Sequence, residues 1–372
     1  MKSAERSIRG LLAEAGIQPN GANPWDIKVH NPDFYGRVLS HGSLGFGESY
    51  MDGWWDCEDL AGLFERVTGA RLQKKVRPAS LLVPYVLEKL LNMQTRRRSR
   101  KVARQHYDLG NDLYQIMLDP YMQYTSAYWK DADSLDQAQR NKLDLSCRKL
   151  QLEPGMRVLD AGCGFGGFAR YAAEHCGVEV YGVTLSKRQL AFGQAFCAGL
   201  PVTIEMKDYR DITETGFDRI ATIGMMEHVG TRNYRACLQQ MSRYLKDDGL
   251  MLLHCIGSEV TGKVTDRWIT KYIFPNSILP SAVELTTAAE GVFVLEDWHN
   301  FGASYAKTLL AWHTNCEAGW EKLPADRYDE RFRRMWRYYL LACSGAFASR
   351  SIQLWQLVLS KGGVAGGYDA PR

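Results

Sequence analysis

In the middle of the chain, short apolar runs alternate with segments suited to helices. The runs are Arg157–Ala161, Glu179–Val183, Val202–Met206, Arg219–Ile223 and Leu250–Cys255. Alternation of this kind predicts a parallel sheet with helices on both faces, an α/β architecture. The N-terminal part reads differently. Ile8 to Ala15 suits a helix, and Trp25 to Val29 alternates like a short strand. From Gly42, GSLGFGESYMDGWWDCEDL is rich in glycine and aromatics and predicts turns, followed by a helix through Leu63 and Phe64. Ala79 to Met93 is apolar over most of a helix surface, which suits packing on a core or lying at a membrane surface.

Charge then marks a boundary. Arg96, Arg97, Arg98, Arg100, Lys101 and Arg104 follow one another with no acid between them. Such a run is a solvated linker, or a site for anionic phosphates when it stands beside an interfacial helix. The expected organisation is a small N-terminal α+β domain over residues 1–95, facing lipid or supporting a dimer. A basic linker over 96–104 and a catalytic domain over 105–372 follow.

Composition narrows the class. The chain has 372 residues, 45% hydrophobic and 24% charged, which is globular, and its net charge of +4 says little about partners. It has no apolar run long enough to span a bilayer, and MKSAERSIRG lacks the apolar core of a signal peptide, so a cytosolic chain is expected. The nine cysteines are scattered, with no C-x-x-C pair, which argues against an iron–sulfur cluster and hence against radical chemistry. No metal site is expected.

The strongest chemistry lies in RVLDAGCGFGGFARYAAEH. A strand to Asp160 leads into the turn Gly162, Gly164, Gly166, Gly167, and a helix starts at about Phe168. Glycines there let a cofactor approach the backbone. Nicotinamide enzymes share the pattern, but they want an acid closing the second strand for the ribose, and this chain offers Thr184 instead. Asp160, two residues before the first glycine, suits the ammonium of a methionine moiety. Lys207-Asp208-Tyr209-Arg210 after the third strand suits adenine. The loop therefore points to S-adenosylmethionine.

With HYDLGNDLYQIMLDPYMQYTSAYW (106–129), GMMEHVG (224–230), LLHCIGS, WITKYIFPNSILP, EDWHNFGASY and RYYLLACSGAFASRSIQLWQ added, the chain resembles the cyclopropane-fatty-acyl-phospholipid synthases over nearly its full length. The resemblance implies a Rossmann-like methyltransferase fold. It also implies transfer of the S-adenosylmethionine methyl to a cis double bond of a phospholipid acyl chain, followed by proton loss to bicarbonate and ring closure.

The family's bicarbonate pocket maps onto Glu227, His254, Ile256 and Tyr305, with Ser126 beside them. In that pocket the His254 ring, the Tyr305 hydroxyl and the N–H groups of Ser126 and Ile256 would donate, and Glu227 would accept. The cofactor positions map onto Tyr124, Thr125, Asp160, Gly162, Gly164, Thr184, Leu185, Gln189, Tyr209 and Arg210, to which the adenine reading adds Asp208. Tyr272, Phe274 and Tyr305 are candidate walls for a transient cation, since ring faces attract positive charge by roughly 0.5–2 kcal/mol. Ser126 replaces a family cysteine, and Phe165 stands where tryptophan is common. Cys343 matches a cysteine described for the family as an active-site residue, although the reaction needs no covalent nucleophile and a buried structural role suits it better.

Taken singly, Glu227 suits the start of a helix, and His254 and Tyr305 suit core positions; in family order the functional reading is stronger. The expected partner is a bilayer with unsaturated acyl chains, reached from the cytoplasmic face. No nucleic acid is expected, and a homodimer is admitted. The competing functions are a relative that methylates without closing the ring, and a lipid-surface binder with a dead core.

Overall fold

The computed structural model of the chain describes residues 2–72, 75, 110–262 and 265–372. The Ala79–Met93 segment, the basic run Arg96–Arg104 and the start of the 106–129 motif lie outside them. The described residues divide into two units. The first is drawn from Met1–Asn92, Val264–Pro275 and Tyr305–Ile352, the second from Met93–Lys263, Asn276–Ser304 and Gln353–Arg372. The contacts therefore do not keep 105–372 as one continuous domain: two of its segments cluster with the N-terminal elements.

In the first unit, β1 (Lys28–Val29) pairs antiparallel with β2 (Trp55–Asp56). The strand expected from Trp25 is thus only two residues long. Its other regular elements are helices: Lys2–Glu14, Asp33–His41, Ser43–Met51, Leu60–Gly69, Arg267–Tyr272, most of Gly302–Gly319, the 3-10 turn Trp320–Lys322 and Glu330–Ala348. The helix Ser43–Met51 replaces the expected turns. Its glycines serve close approach, because a Cβ on Gly47 would collide with the Trp268 ring and one on Gly45 with the Arg37 carbonyl. Trp55, Trp268 and Trp336 are buried in this unit's core.

The second unit carries a seven-stranded sheet. Its strands are β3 (Arg157–Ala161), β4 (Glu179–Thr184), β5 (Val202–Met206), β6 (Phe217–Ile223), β7 (Leu245–Gly257), β8 (Val294–Asn300) and β9 (Gln353–Ser360). Their order is β5-β4-β3-β6-β7-β9-β8. The first five are parallel, as the alternating pattern predicts. The last two are not: β9 runs antiparallel to β7, and β8 antiparallel to β9.

Both sheet faces are sealed. Leu159, Ala161, Met251 and Leu253 enter one apolar cluster, while Val158, Leu250 and Leu252 enter another. Neighbouring residues on one strand thus point to opposite cores. Chain order reverses between β3 and β6, and in open α/β sheets the crevice at the strand ends beside that reversal takes ligands. Among the described residues, no helix is long and apolar enough to cross a membrane.

Candidate active site at the strand ends

The loop after β3 has the shape its glycines require. Gly162, Gly164 and Gly166 have φ of 89°, 55° and 84°, and the helix Gly167–Cys176 follows. At Gly167 a Cβ would fall on the Tyr121 carbonyl. Tyr121 belongs to the segment that runs on to Tyr124, Thr125 and Ser126. An aromatic file flanks the loop: Tyr124 meets Tyr114 at 5.0 Å, Tyr114 meets Phe165 at 5.4 Å, and Phe165 meets Phe192 at 5.4 Å.

Asp160 closes β3. It is 1% exposed, and its Oδ2 has no hydrogen-bond partner among the described residues. Burial pushes its carboxyl up to about 7, and the buried Lys142 ammonium tempers the shift. A cation at this point would meet a carboxylate with a lone pair to spare. The Asp160 oxygen and the glycine-rich loop together fit the ammonium and backbone-hugging shape of S-adenosylmethionine.

At the end of β4 the Thr184 hydroxyl donates to Gln189 Oε1 at 2.9 Å, and Ser186 caps the next helix by accepting from Gln189 N. Leu185 lies between them. After β5, Asp208 caps a short turn by accepting from Arg210 N, and Arg210 Nε and a terminal nitrogen hold both its oxygens at 2.8 and 2.6 Å. The Tyr209 carbonyl accepts from the Tyr244 hydroxyl at 2.8 Å. The Asp208 carboxylate is therefore engaged by its neighbour.

The second constellation lies at the ends of β6 and β7. Glu227 opens the short helix Met226–Val229 that follows β6. Its Oε1 accepts from the Ile256 N–H at 2.7 Å, while its buried Oε2 has no partner among the described residues. Burial raises this carboxyl to about 7. The Ile256 N–H, expected to face an anion, is thus given to Glu227, because the buried carboxylate has few other donors.

His254 lies two residues earlier on the same strand, 1% exposed, and its carbonyl accepts from Gly224 N. Its Nδ1 stands 3.2 Å from Gln356 Nε2, and its Nε2 has no partner among the described residues. Burial, reinforced by the charges of Lys142 and Lys149, pulls its pKa well below the usual range, so the ring is neutral. The Ser126 hydroxyl donates to the Ala127 carbonyl at 2.9 Å, which takes its one proton.

The other expected residues belong to the first unit. Tyr305 is 8% exposed and packs its ring on Phe347 at 4.5 Å. The Tyr272 hydroxyl donates to Glu48 at 2.9 Å, and Phe274 meets Tyr339 at 5.7 Å. Cys343 lies in the helix Glu330–Ala348, and burial pushes its thiol up to about 12, far from a thiolate nucleophile.

Comparison with known proteins gives the family. Residues 94–357 match the family model for mycolic acid cyclopropane synthetase. The chain belongs to this family. A cyclopropane-fatty-acyl-phospholipid synthase of Escherichia coli strain K12 is 52% identical over 358 residues, covering 96% of this chain and 93% of that one. A probable fatty acid methyltransferase of Pseudomonas putida is 38% identical, covering 72% of this chain and 70% of its own length.

Among solved structures, the cyclopropane synthase MmaA2 from Mycobacterium tuberculosis aligns at a TM-score of 0.66 and 28% identity, covering 70% of this chain and 98% of that one. The mycolic acid cyclopropane synthase CmaA1, complexed with SAH and CTAB, aligns at a TM-score of 0.66 and 31% identity, over 70% of this chain and 98% of that one. As a member of this synthase family, the chain is an S-adenosylmethionine-dependent methyltransferase.

Sequence reasoning missed the groups behind this site. Gln139, Lys142, Ser146 and Gln356 are fully buried and bonded to it or around it, yet each is an ordinary polar residue in the sequence. The one available signal was weak: Gln139, Lys142 and Ser146 recur at helical spacing on an otherwise polar segment.

Proposed function

We propose that this synthase-family chain methylates a cis double bond in a phospholipid acyl chain and closes a cyclopropane ring, with bicarbonate held at Glu227 and His254. One observation carries the reading: the two buried polar atoms Glu227 Oε2, just after β6, and His254 Nε2, near the end of neighbouring β7, have no partner among the described residues. Buried polar atoms left unpaired are costly, so such a pair favours a bound polar guest. A small oxyanion suits it. The neutral His254 ring offers a donor, and a Glu227 carboxyl raised to about 7 repels an anion less than a permanently ionised one.

S-adenosylmethionine would supply the electrophilic methyl, and bicarbonate a base. Asp160 would hold the ammonium of the former, and the Gly162–Gly164 turn its methionine end, with Tyr124, Thr125, Thr184, Leu185, Gln189, Tyr209 and Arg210 around it. Ser126 would add a donor to the anion. The acyl substrate belongs to a bilayer, which the chain would meet from its cytoplasmic face. The apolar 79–93 segment followed by the basic 96–104 run supports that contact by sequence.

The test varies the base. Purified chain, S-adenosylmethionine and unsaturated phospholipid vesicles are combined in buffer stripped of bicarbonate, then with bicarbonate restored. Turnover should fall and recover. Glu227→Gln should bind S-adenosylmethionine normally and turn over slower by about 10²–10⁴, the range for losing an acid–base partner. Unchanged turnover in both arms contradicts the bicarbonate assignment.

A further inference from the structure

The helix Leu135–Lys149 is polar in composition, yet one stripe of it is sealed. Gln139, Lys142, Ser146 and Lys149, three or four residues apart, are 0% exposed. Residues at that spacing share one helix face. Each of the four donates at least one hydrogen bond, while Gln139 Oε1 has no partner among the described residues. Gln139 Nε2 donates to the Thr125 carbonyl at 2.9 Å and to the Gln123 carbonyl at 3.3 Å. Lys142 Nζ donates to Gln123 Oε1 and, at 3.0 Å, to Thr125 Oγ1. One end of the stripe thus fixes the segment that carries Tyr124, Thr125 and Ser126.

The other end reaches His254. Gln356, buried on β9, places Nε2 at 3.2 Å from both Ser146 Oγ and His254 Nδ1. The orientation of an amide and the position of an imidazole proton follow from the network around them. Ser146 has one hydroxyl proton, and the 2.7 Å bond to the Lys142 carbonyl takes it. Toward Gln356 the Ser146 oxygen can then only accept, so the amide must present its NH2. The second amide hydrogen faces His254 Nδ1, which must be bare. A neutral imidazole with a bare Nδ1 carries its proton on Nε2.

We infer that Ser146 and Gln356 are positioning residues that lock His254 in the Nε2–H tautomer, making the ring a hydrogen-bond donor toward the site's anion and not a base. Only the identity of that anion rests on the proposed function; the tautomer rests on the hydrogen bonds. The reverse arrangement is specific and observable. If the Ser146 proton left the Lys142 carbonyl for a flipped Gln356 amide, the Gln356 oxygen would accept from Nδ1–H and Nε2 would be bare.

The experiment is a two-bond ¹⁵N–¹H correlation spectrum of the full chain with ¹⁵N-labelled histidine, the His254 signals assigned by their loss in His254→Asn. The wild type should show Nε2 protonated and Nδ1 bare. Gln356→Met, similar in shape and without the amide, should release the lock, so that the Nδ1–H form becomes populated. The bicarbonate concentration for half-maximal rate should then rise about tenfold, the scale of one buried hydrogen bond, with S-adenosylmethionine affinity unchanged.

Ser146→Ala, which removes only an oxygen, should also populate both forms and serves if Gln356→Met does not fold. A protonated Nδ1 in the wild type, or a tautomer indifferent to both substitutions, overturns the inference. If the tautomers behave as stated but turnover ignores bicarbonate, the inference holds and the proposed base is wrong.

Discussion

At the end of β3 a carboxylate is shut away from water with one oxygen unpaired, and its surroundings make a pH-dependent prediction. Burial raises Asp160 to about 7, well above its value in an unfolded chain. A group with a raised folded-state pKa contributes stability that is complete below the unfolded pKa and lost as pH rises through the folded one. For Asp160 that loss spans about pH 4 to about 7. Asp160→Asn removes this decline. Melting curves without cofactor should show the variant gaining on the wild type between pH 5 and pH 8. S-adenosylmethionine should bind the variant about 10–100-fold more weakly, as expected when a charged acceptor is lost. A stability gap equal at both pH values would show that Asp160 titrates elsewhere.

Asp160 was legible in the sequence because its place before a glycine turn has a chemical meaning. Glu227 and His254 were legible only through family resemblance, since a lone histidine at a strand end suits a core equally well. Lys142 and Gln356 were not legible. A lysine in a helix as polar as Leu135–Lys149 reads as solvated, and nothing local says which face a distant strand will cover.

Elements were read best where the pairing was regular. The five parallel strands fall within a few residues of their apolar runs; β3, β4, β6 and β7 are largely buried, and the edge strand β5 is bounded by Pro201 and the turn after Met206. Two kinds of element escaped. Ser43–Met51 is a helix whose glycines sit where Arg37 and Trp268 come close, and local pattern cannot distinguish a glycine needed for contact from one needed for a turn.

The antiparallel pair β8 and β9 escaped for another reason. β9 is buried along nearly all its length, but its partner β7 lies about a hundred residues earlier; β8 is an edge strand with Val294 and Leu295 exposed and acids inside it. Its apolar signal is correspondingly diluted. These two strands carry Gln356 and Asp297 to the polar helix, so the positioning groups and the missed strands are one omission.

At the scale of the whole molecule, the reading requires a protein without a spanning helix among its described residues to reach a double bond inside a bilayer. The basic run supplies the attraction by sequence, each Lys or Arg near an anionic surface contributing about 1 kcal/mol. Replacing Arg96, Arg97 and Arg98 with glutamine should reduce co-sedimentation with anionic vesicles, most at low salt where screening is least. Equal sedimentation of the variant and the wild type would leave the run a linker.

The central claim is ring formation itself, and the mass and reactivity of the product test it most directly. Transfer of a methyl with loss of one proton adds CH2, and a ring carries the same hydrogen count as a double bond. Unsaturated phospholipid vesicles incubated with the chain and S-adenosylmethionine should yield acyl chains heavier by CH2 that no longer react with alkene reagents. Saturated vesicles, with no π electrons to attack the methyl, should return unchanged. Unsaturated chains recovered at their original mass would contradict the account, and chains heavier by CH2 that still react as alkenes would show a methyltransferase that does not close the ring.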